Sequence, residues 1–151
     1  MNLSKKLGIL VVGICVGLAS VAAWSEDIES ITGMTRETMA EEAARTVEAY
    51  YAAIGDGDVP TIEAMLGGGF KESVIGTLRS EGYDQELRRH YTASELTVTD
   101  VSIGSQGGAE VSGSLHMATG ESTDISLVLS LVEAPEGYVY RIVGERTTSR
   151  L

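Results

Sequence analysis

The amino-acid sequence predicts a single α+β domain in which helices come first and a four-stranded antiparallel sheet follows. Three observations support this prediction. Between residues 38 and 91 the apolar residues recur at helical steps of three and four. From Glu95 onwards they recur at every second residue, as in half-buried strands. Short turns rich in Gly, Pro and Asp separate the alternating segments, which favours strands that pair as a meander.

The long first helix is predicted over residues 38–54. The spacing of Thr38 and Glu41 fits a capping box, and an apolar stripe that includes Val47 follows it. Gly55 stands where a C-terminal cap glycine belongs. We therefore expect Val47 to face the core.

Three shorter segments follow the long helix. Asp58 is a suitable cap for a second helix with Pro60 in its first turn, ended by the glycines at 67–69. Residues 70–80 fit either a helix, from the spacing of the apolar residues, or a short strand, because Gly76 disfavours a helix. Another short helix, with Asp84 as its cap, is predicted after Gly82.

Four strands are predicted between Glu95 and Thr147, separated by turns at residues 104–108, 119–121 and 135–137. The apolar residues change face near Asp100, which predicts a β-bulge there. The strands therefore form consecutive hairpins.

The first 23 residues have the pattern of an export signal. A short basic start precedes an uncharged run over residues 7–24, and acidic residues come after it. The run ends in small residues, so we expect a secretory signal peptide over residues 1–23, cleaved after Ala22 or Ala23. The domain is then periplasmic or secreted.

An uncleaved membrane anchor is the alternative for the same segment. The apolar run is close to the roughly 18 residues that a spanning helix needs, and the basic start would remain in the cytoplasm. The protein would then be tethered to the inner membrane, with its domain again on the outside.

The remainder of the chain is acidic, and the formal net charge of the whole is −11. Such a chain repels phosphate backbones and anionic lipid surfaces, so we expect no nucleic-acid partner and no membrane contact except through the N-terminal segment. Residues 24–37 are polar and acidic and predict a linker to a domain over residues 38–151. Cys15 is the only cysteine, so an internal disulfide is excluded.

The run from Ala49 to Asp58 (AYYAAIGDGD), followed by Ile62, Met65 and Leu66, resembles the opening of nuclear transport factor 2-like (SnoaL-like) domains. In these domains a long helix with an aromatic pair ends in a Gly-Asp turn, and a short helix follows. The resemblance covers residues 38–146. It implies a cone-like fold in which a curved sheet wraps the long helix, and a homodimer formed through the sheet. One departure is the glycine-rich run at 67–72, which replaces the acidic, aromatic strand that usually forms one cavity wall.

The tyrosines carry most of the aromatic content and are candidates for a ligand pocket, because each combines an apolar ring with a polar hydroxyl. Packing in the core is the alternative use of the same rings. The candidate pocket residues are Tyr50, Tyr51, Tyr83, Tyr91, Met117 and Tyr140.

The two histidines are the candidate acid–base residues if the protein is an enzyme. Enzymes of the resembling family, such as ketosteroid isomerases and polyketide cyclases, use an aspartate or histidine base with a tyrosine or a second acid. Strand alternation places His116 on the polar face, and His90 lies near a helix end where the dipole favours a cation. Neither position matches a catalytic motif.

No spacing of metal ligands or glycines fits a metal or nucleotide site, so we expect neither a metal nor a cofactor. The expected function is that of an exported, non-enzymatic accessory domain that binds a small apolar ligand or a protein partner in the cell envelope. A small isomerase or cyclase is the alternative, since one fold can host both functions.

Overall fold

The computed structural model describes residues 28–149, and within them five helices precede four strands, which confirms the predicted α+β class. The predicted signal peptide or anchor lies outside the described residues. The helices are α1 (28–32), α2 (Arg36–Asp56), α3 (Val59–Met65), α4 (Gly68–Leu78) and α5 (Tyr83–Tyr91). The strands are β1 (Glu95–Ile103), β2 (Ala109–His116), β3 (Ser122–Ala134) and β4 (Gly137–Ser149).

The long helix α2 begins one turn earlier and ends later than predicted. Its cap is Thr35, whose hydroxyl accepts a hydrogen bond from the Thr38 backbone N–H at 3.1 Å, so Thr38 lies inside the first turn. Its end is set by Gly57 and not by Gly55, because Gly57 adopts the left-handed conformation with φ 64°. A Cβ atom on Gly57 would lie 2.4 Å from the carbonyl oxygen of Asp84, so this glycine also lets α5 approach α2 closely.

The shorter helices confirm one prediction and correct two. Asp58 caps α3 by accepting a hydrogen bond from the Thr61 N–H at 3.3 Å, with Pro60 in the first turn as expected. The ambiguous segment is the helix α4, so the strand alternative is wrong. Gly76 lies on an open surface of this helix, where no atom comes within 4 Å of a Cβ position. Gly82 is the cap of α5, and Asp84 lies in its first turn, where a carboxylate interacts with the helix dipole.

The glycine run at 67–69 was predicted to end the helix α3, but it caps and begins the next helix, α4. Helix α3 ends at Met65, and Gly68 is the first residue of α4. Between them Leu66 forms a parallel bridge with Ile142, and the Gly67 N–H donates to the Ile142 carbonyl at 2.9 Å. This contact joins the helical half of the domain to β4.

The described part of the predicted linker, residues 28–37, contains α1, the cap Thr35 and the first two residues of α2. Ile28 and Met34 pack against the core. The Glu29 carboxylate accepts a hydrogen bond from the Arg36 N–H at 3.1 Å, across the break between the two helices.

The sheet has the order β1-β2-β3-β4 with every neighbouring pair antiparallel, which confirms the predicted meander. The predicted bulge is present, as a register shift between Val98 and Asp100. A second shift, between Val128 and Leu129, was not predicted. It places Ile142 opposite Leu129 but Gly144 opposite Val128, so one residue of β4 is extra.

The core lies between α2 and one face of the sheet. The residues that are at most 1% exposed come from α2, α3 and three strands: Met39, Ala43, Val47, Ile62, Val111, Leu127, Leu129 and Ile142. The predicted inward position of Val47 is thereby confirmed.

Within residues 28–149, no helix combines the length and the apolar character needed to cross a bilayer.

Candidate ligand-binding cleft

A cleft of about 450 Å³ opens between one face of α5 and the end of the β2–β3 hairpin. Tyr83, Leu87 and Tyr91 lie at positions i, i+4 and i+8 of α5, so they share one face of that helix. Leu115 and Ile125 form the sheet side. Aromatic and aliphatic side chains therefore form part of the cleft lining.

Glu145 brings a carboxylate into this apolar setting. It is half-buried on β4, directly opposite the fully buried Leu127. The extra residue in β4 reverses the alternation between Ile142 and Glu145, so that both point to the inner face of the sheet. A regular strand would have turned the carboxylate to solvent.

Two tyrosine hydroxyls of α2 hold this carboxylate. Tyr51 donates to Oε1 of Glu145 at 2.9 Å, and Tyr50 donates to Oε2 at 3.4 Å. The two rings meet edge to face, with centroids 5.2 Å apart and an angle of 75°. The consecutive tyrosines thus fix one another and the position of the glutamate.

These contacts keep the tyrosines protonated. Burial, and then the negative charge of Glu145 and its hydrogen bonds, raise the pKa of both Tyr50 and Tyr51 well above the ordinary value of 10.0. Burial followed by the same charge also raises the pKa of Tyr91. The field of Glu145 therefore reaches across the cleft.

The entrance of the cleft is acidic. Glu86 of α5 and Glu121 of the β2–β3 turn are both exposed there. His90 and Thr123 complete the polar part of the lining. Three glutamates and neither Lys nor Arg occur among the described residues that line the cleft.

A second cleft of about 370 Å³ lies beside the first and is lined by the C-terminal part of α2 and the segment after α5. The two clefts share Tyr51, Tyr91 and Leu115 as lining residues. Within the described residues, Tyr91 is thus a wall common to both.

Four of the six candidate pocket residues lie together in the larger cleft: Tyr51, Tyr83, Tyr91 and Met117. Tyr50 is buried behind Tyr51 and reaches Glu145, but it does not line the cleft. Tyr140 is remote from this site, since its hydroxyl donates to the Gly107 carbonyl at 2.6 Å. Burial raises the pKa of Tyr140 to about 12.

The two histidines are separated by the fold. His90 lines the cleft but is exposed, and the described residues offer its ring no hydrogen bond. His116 lies on the outer face of the sheet, where its Nδ1 is 2.7 Å from the Ser122 hydroxyl. Only His90 could therefore contact a ligand in the cleft.

The glutamates of the cleft were missed from the sequence. Glu145 belongs to a strand whose alternation, without a bulge, points it outwards. The adjacent Gly144 is the one local signal, because glycine inside a strand often marks a bulge.

Residues 28–149 contain no group of three or more His, Cys, Asp or Glu arranged to hold a metal ion.

Comparison of the chain with protein-family models, curated proteins and solved structures found no match. The resemblance to nuclear transport factor 2-like domains stays a prediction. The residues that carry it, 49–58 with Ile62, Met65 and Leu66, belong to the C-terminal part of α2, its cap, and the helix α3 with its two caps.

Proposed function

We propose that this chain is an exported accessory domain that binds a small ligand with an apolar body in the cleft between α5 and the sheet. One observation carries the proposal: a carboxylate, fixed by two tyrosine hydroxyls, lines an open cleft beside aromatic and aliphatic side chains. Its volume of about 450 Å³ falls in the usual range for ligand sites. Like such sites, the cleft sets fixed polar groups beside aromatic and aliphatic side chains.

The hydrogen bonding around Glu145 favours binding over catalysis. General acid–base catalysis needs groups that are held within reach of the reacting atoms. Here the two tyrosine hydroxyls hold Glu145 in place, whereas His90 is exposed without an orienting partner among the described residues. The set is suited to fixing the position of a ligand.

The order of elements supports assignment of this domain to the nuclear transport factor 2-like group, with a cone-like shape and a curved sheet. In that arrangement the outer face of the sheet would form a homodimer or bind a protein partner in the envelope. Val128 of β3, which is 40% exposed, would lie within such a contact.

Native mass spectrometry of the protein purified from its host tests the ligand proposal. We expect a retained small molecule that is lost from the Glu145→Gln variant but kept by Glu110→Gln, which changes an exposed glutamate on the outer face of β2. Protein that carries no added mass at any stage of gentle purification contradicts the proposal.

The proposed export has its own test. Alkaline phosphatase fused after Gly33 should be active, because the basic-apolar-acidic order of the leader directs the downstream chain out of the cytoplasm. An inactive phosphatase, together with an active cytoplasmic reporter at the same junction, contradicts export. N-terminal sequencing of the mature protein distinguishes cleavage from anchoring.

A small isomerase or cyclase is the second candidate, favoured by the presence of His90, Tyr91 and Glu145 around one cleft. Turnover of an enolisable ketosteroid that is abolished by His90→Ala or Glu145→Gln would establish it. His116→Ala is the matched control, since His116 lies outside the cleft. Turnover that survives both cleft substitutions would place the chemistry elsewhere.

A further inference from the structure

We propose that the cleft selects organic cations, in the form of an ammonium group attached to an apolar body. This inference rests on the proposed ligand-binding function and specifies the class of its ligand. The juxtaposition that carries it is a half-buried carboxylate, without a counter-ion among the described residues, surrounded by tyrosine rings and an acidic entrance.

Glu145 lacks a cationic partner among the residues that the structure describes. Ion pairs in this part of the chain join Arg45 to two neighbouring glutamates, Arg79 to Glu63, and Arg88 to Asp84. A half-buried carboxylate has lost part of its hydration, and its two tyrosine donors carry no positive charge. A bound ammonium group would supply the missing charge.

The orientation of the tyrosine hydroxyls also favours a ligand that donates. Tyr51, which lines the cleft, directs its hydrogen at Glu145, so its oxygen offers lone pairs to other partners. Each carboxylate oxygen also retains accepting capacity after one such bond. This part of the cleft therefore presents acceptors, which match the N–H donors of an ammonium group and do not match an anion.

The charges at the entrance act in the same direction. Glu86 and Glu121 stand at the mouth, and the described lining includes no Lys or Arg. A cleft lined by one sign of charge concentrates its field and raises the local concentration of opposite ions. The formal net charge of the chain, −11, adds to this at long range.

The walls suit the apolar body of such a ligand. Leu115 and Ile125 offer aliphatic surface, while the rings of Tyr51, Tyr83 and Tyr91 offer aromatic surface. A cation near a tyrosine ring is attracted by the ring quadrupole, and the attraction grows as the cation loses water. A neutral or anionic molecule of the same shape lacks this contribution.

Three probes of nearly equal shape test the inference on the wild-type protein: tryptamine, which is an ammonium at neutral pH, the neutral tryptophol, and the anionic indole-3-propionate. Affinities are measured by titration followed through backbone amide NMR shifts. We expect tryptamine to bind at least about tenfold more tightly than either analogue, a factor that corresponds to one ordinary charge interaction. The shifted amides should include those of Tyr91 and Glu145.

The outcomes separate the two levels of the proposal. Equal or tighter binding of tryptophol or indole-3-propionate in the cleft overturns the selectivity for cations but leaves the ligand-binding function standing. Absence of any cleft shift with all three probes overturns the inference and also counts against the function. Tryptamine shifts that map away from the cleft overturn the inference as well.

Glu145→Gln removes the charge while nearly preserving the side-chain shape. We expect this variant to lose about tenfold in tryptamine affinity and little in tryptophol affinity. Glu110→Gln makes the same change in net charge on the outer face and should retain both affinities. Equal losses of tryptamine affinity in the two variants would mean that the net negative charge of the protein, and not Glu145 in the cleft, attracts the cation. That result would overturn the proposed site.

Discussion

Two ends of the same sheet face have opposite characters. Under the N-terminal part of α2, Val111, Leu129 and Ile142 pack against Met39 and Val47, and all are at most 1% exposed. Under α5 the same face carries a half-buried carboxylate, tyrosine hydroxyls and an open cleft. The first end, which we call the closed end, consists of tightly packed aliphatic groups that stabilise the fold. The second, the cleft end, exposes fixed polar groups that a ligand can reach.

The difference arises from the helices that cover the sheet. Helix α2 is long and packs along the aliphatic end with its alanine and valine side chains. The nine-residue α5 covers the other end with larger tyrosines, and its buried residue is Leu87. Tyr83 and Tyr91 on this short helix stay partly exposed and line the open cleft.

The largest effect is expected from breaking the closed end with Val47→Asp. This carboxylate would enter a site of 0% exposure within a cluster of buried apolar residues, so we expect unfolding, with a loss of more than about 4 kcal/mol. Circular dichroism with urea denaturation measures this.

Ala49→Asp provides the control for that change, because Ala49 is exposed on the same helix. We expect it to lower the free energy of unfolding by less than about 1 kcal/mol. Wild-type stability of Val47→Asp, or equal losses in the two variants, would contradict the assignment of the packed face of α2.

High pH should lower the free energy of unfolding through the two tyrosines that hold Glu145. Because the folded-state pKa values of Tyr50 and Tyr51 are raised, their contribution is fully present below the unfolded pKa of about 10 and is lost as the pH rises above it. Each tyrosine that stays protonated in the folded state then costs about 1.4 kcal/mol of stability per pH unit. Urea denaturation at a series of pH values measures the slope.

Replacing both tyrosines by phenylalanine is the control for the pH effect. The variant has no ionisable group at these two positions, so its stability should fall less steeply above pH ~10 than that of the wild type. Equal slopes would show that other groups cause the alkaline loss.

Gly113 lies on the inner face of β2 between Val111 of the closed end and Leu115 of the cleft. A Cβ atom there would lie 2.4 Å from the Thr97 carbonyl oxygen, so Gly113→Ala must displace β1. We expect a loss of about 1–3 kcal/mol in thermal or urea unfolding.

Gly76→Ala makes the same substitution where nothing lies within 4 Å of the new methyl group, on the helix α4. It should raise stability by about 0.5–1 kcal/mol, because alanine favours a helix more than glycine does. Equal effects of the two substitutions would contradict the close approach of β1 and β2 at Gly113.

The closed end could be predicted from sequence because its signals are local. The helical stripe around Val47 and the alternation in the strands each appear within a few residues. The bulge near Asp100 was detectable for the same reason, since the apolar residues change face there. The predicted ends of α2 differ from the observed ones because the sequence offers two equivalent caps at each end. These are Thr35 and Thr38 at the start, and Gly55 and Gly57 at the finish.

The cleft could be predicted only in part. Tyrosines are recognisable as candidates, but residues from α2, α5 and β4 meet there through tertiary packing that no short pattern records. The bulge that turns Glu145 inwards depends on the pairing of β4 with β3, where Val128 faces Gly144. From the sequence alone, Tyr140 is as good a pocket candidate as Tyr51. Its hydroxyl nevertheless donates to the carbonyl of Gly107, which is distant in the chain.

The smallest expected effect separates the two tyrosines that hold Glu145. The hydroxyl of Tyr51 donates at 2.9 Å, whereas that of Tyr50 donates at 3.4 Å, which is near the limit of a hydrogen bond. We therefore expect Tyr51→Phe to lower the free energy of unfolding by about 1 kcal/mol and Tyr50→Phe by less than half of that. Each substitution keeps the edge-to-face ring contact, so the comparison isolates the hydroxyls. Urea denaturation of both variants, combined with a Glu145→Gln background in a double-mutant cycle, measures the two couplings. A larger coupling for Tyr50 than for Tyr51 would mean that the carboxylate is held from the core side and not from the cleft, and that its position depends on the closed end.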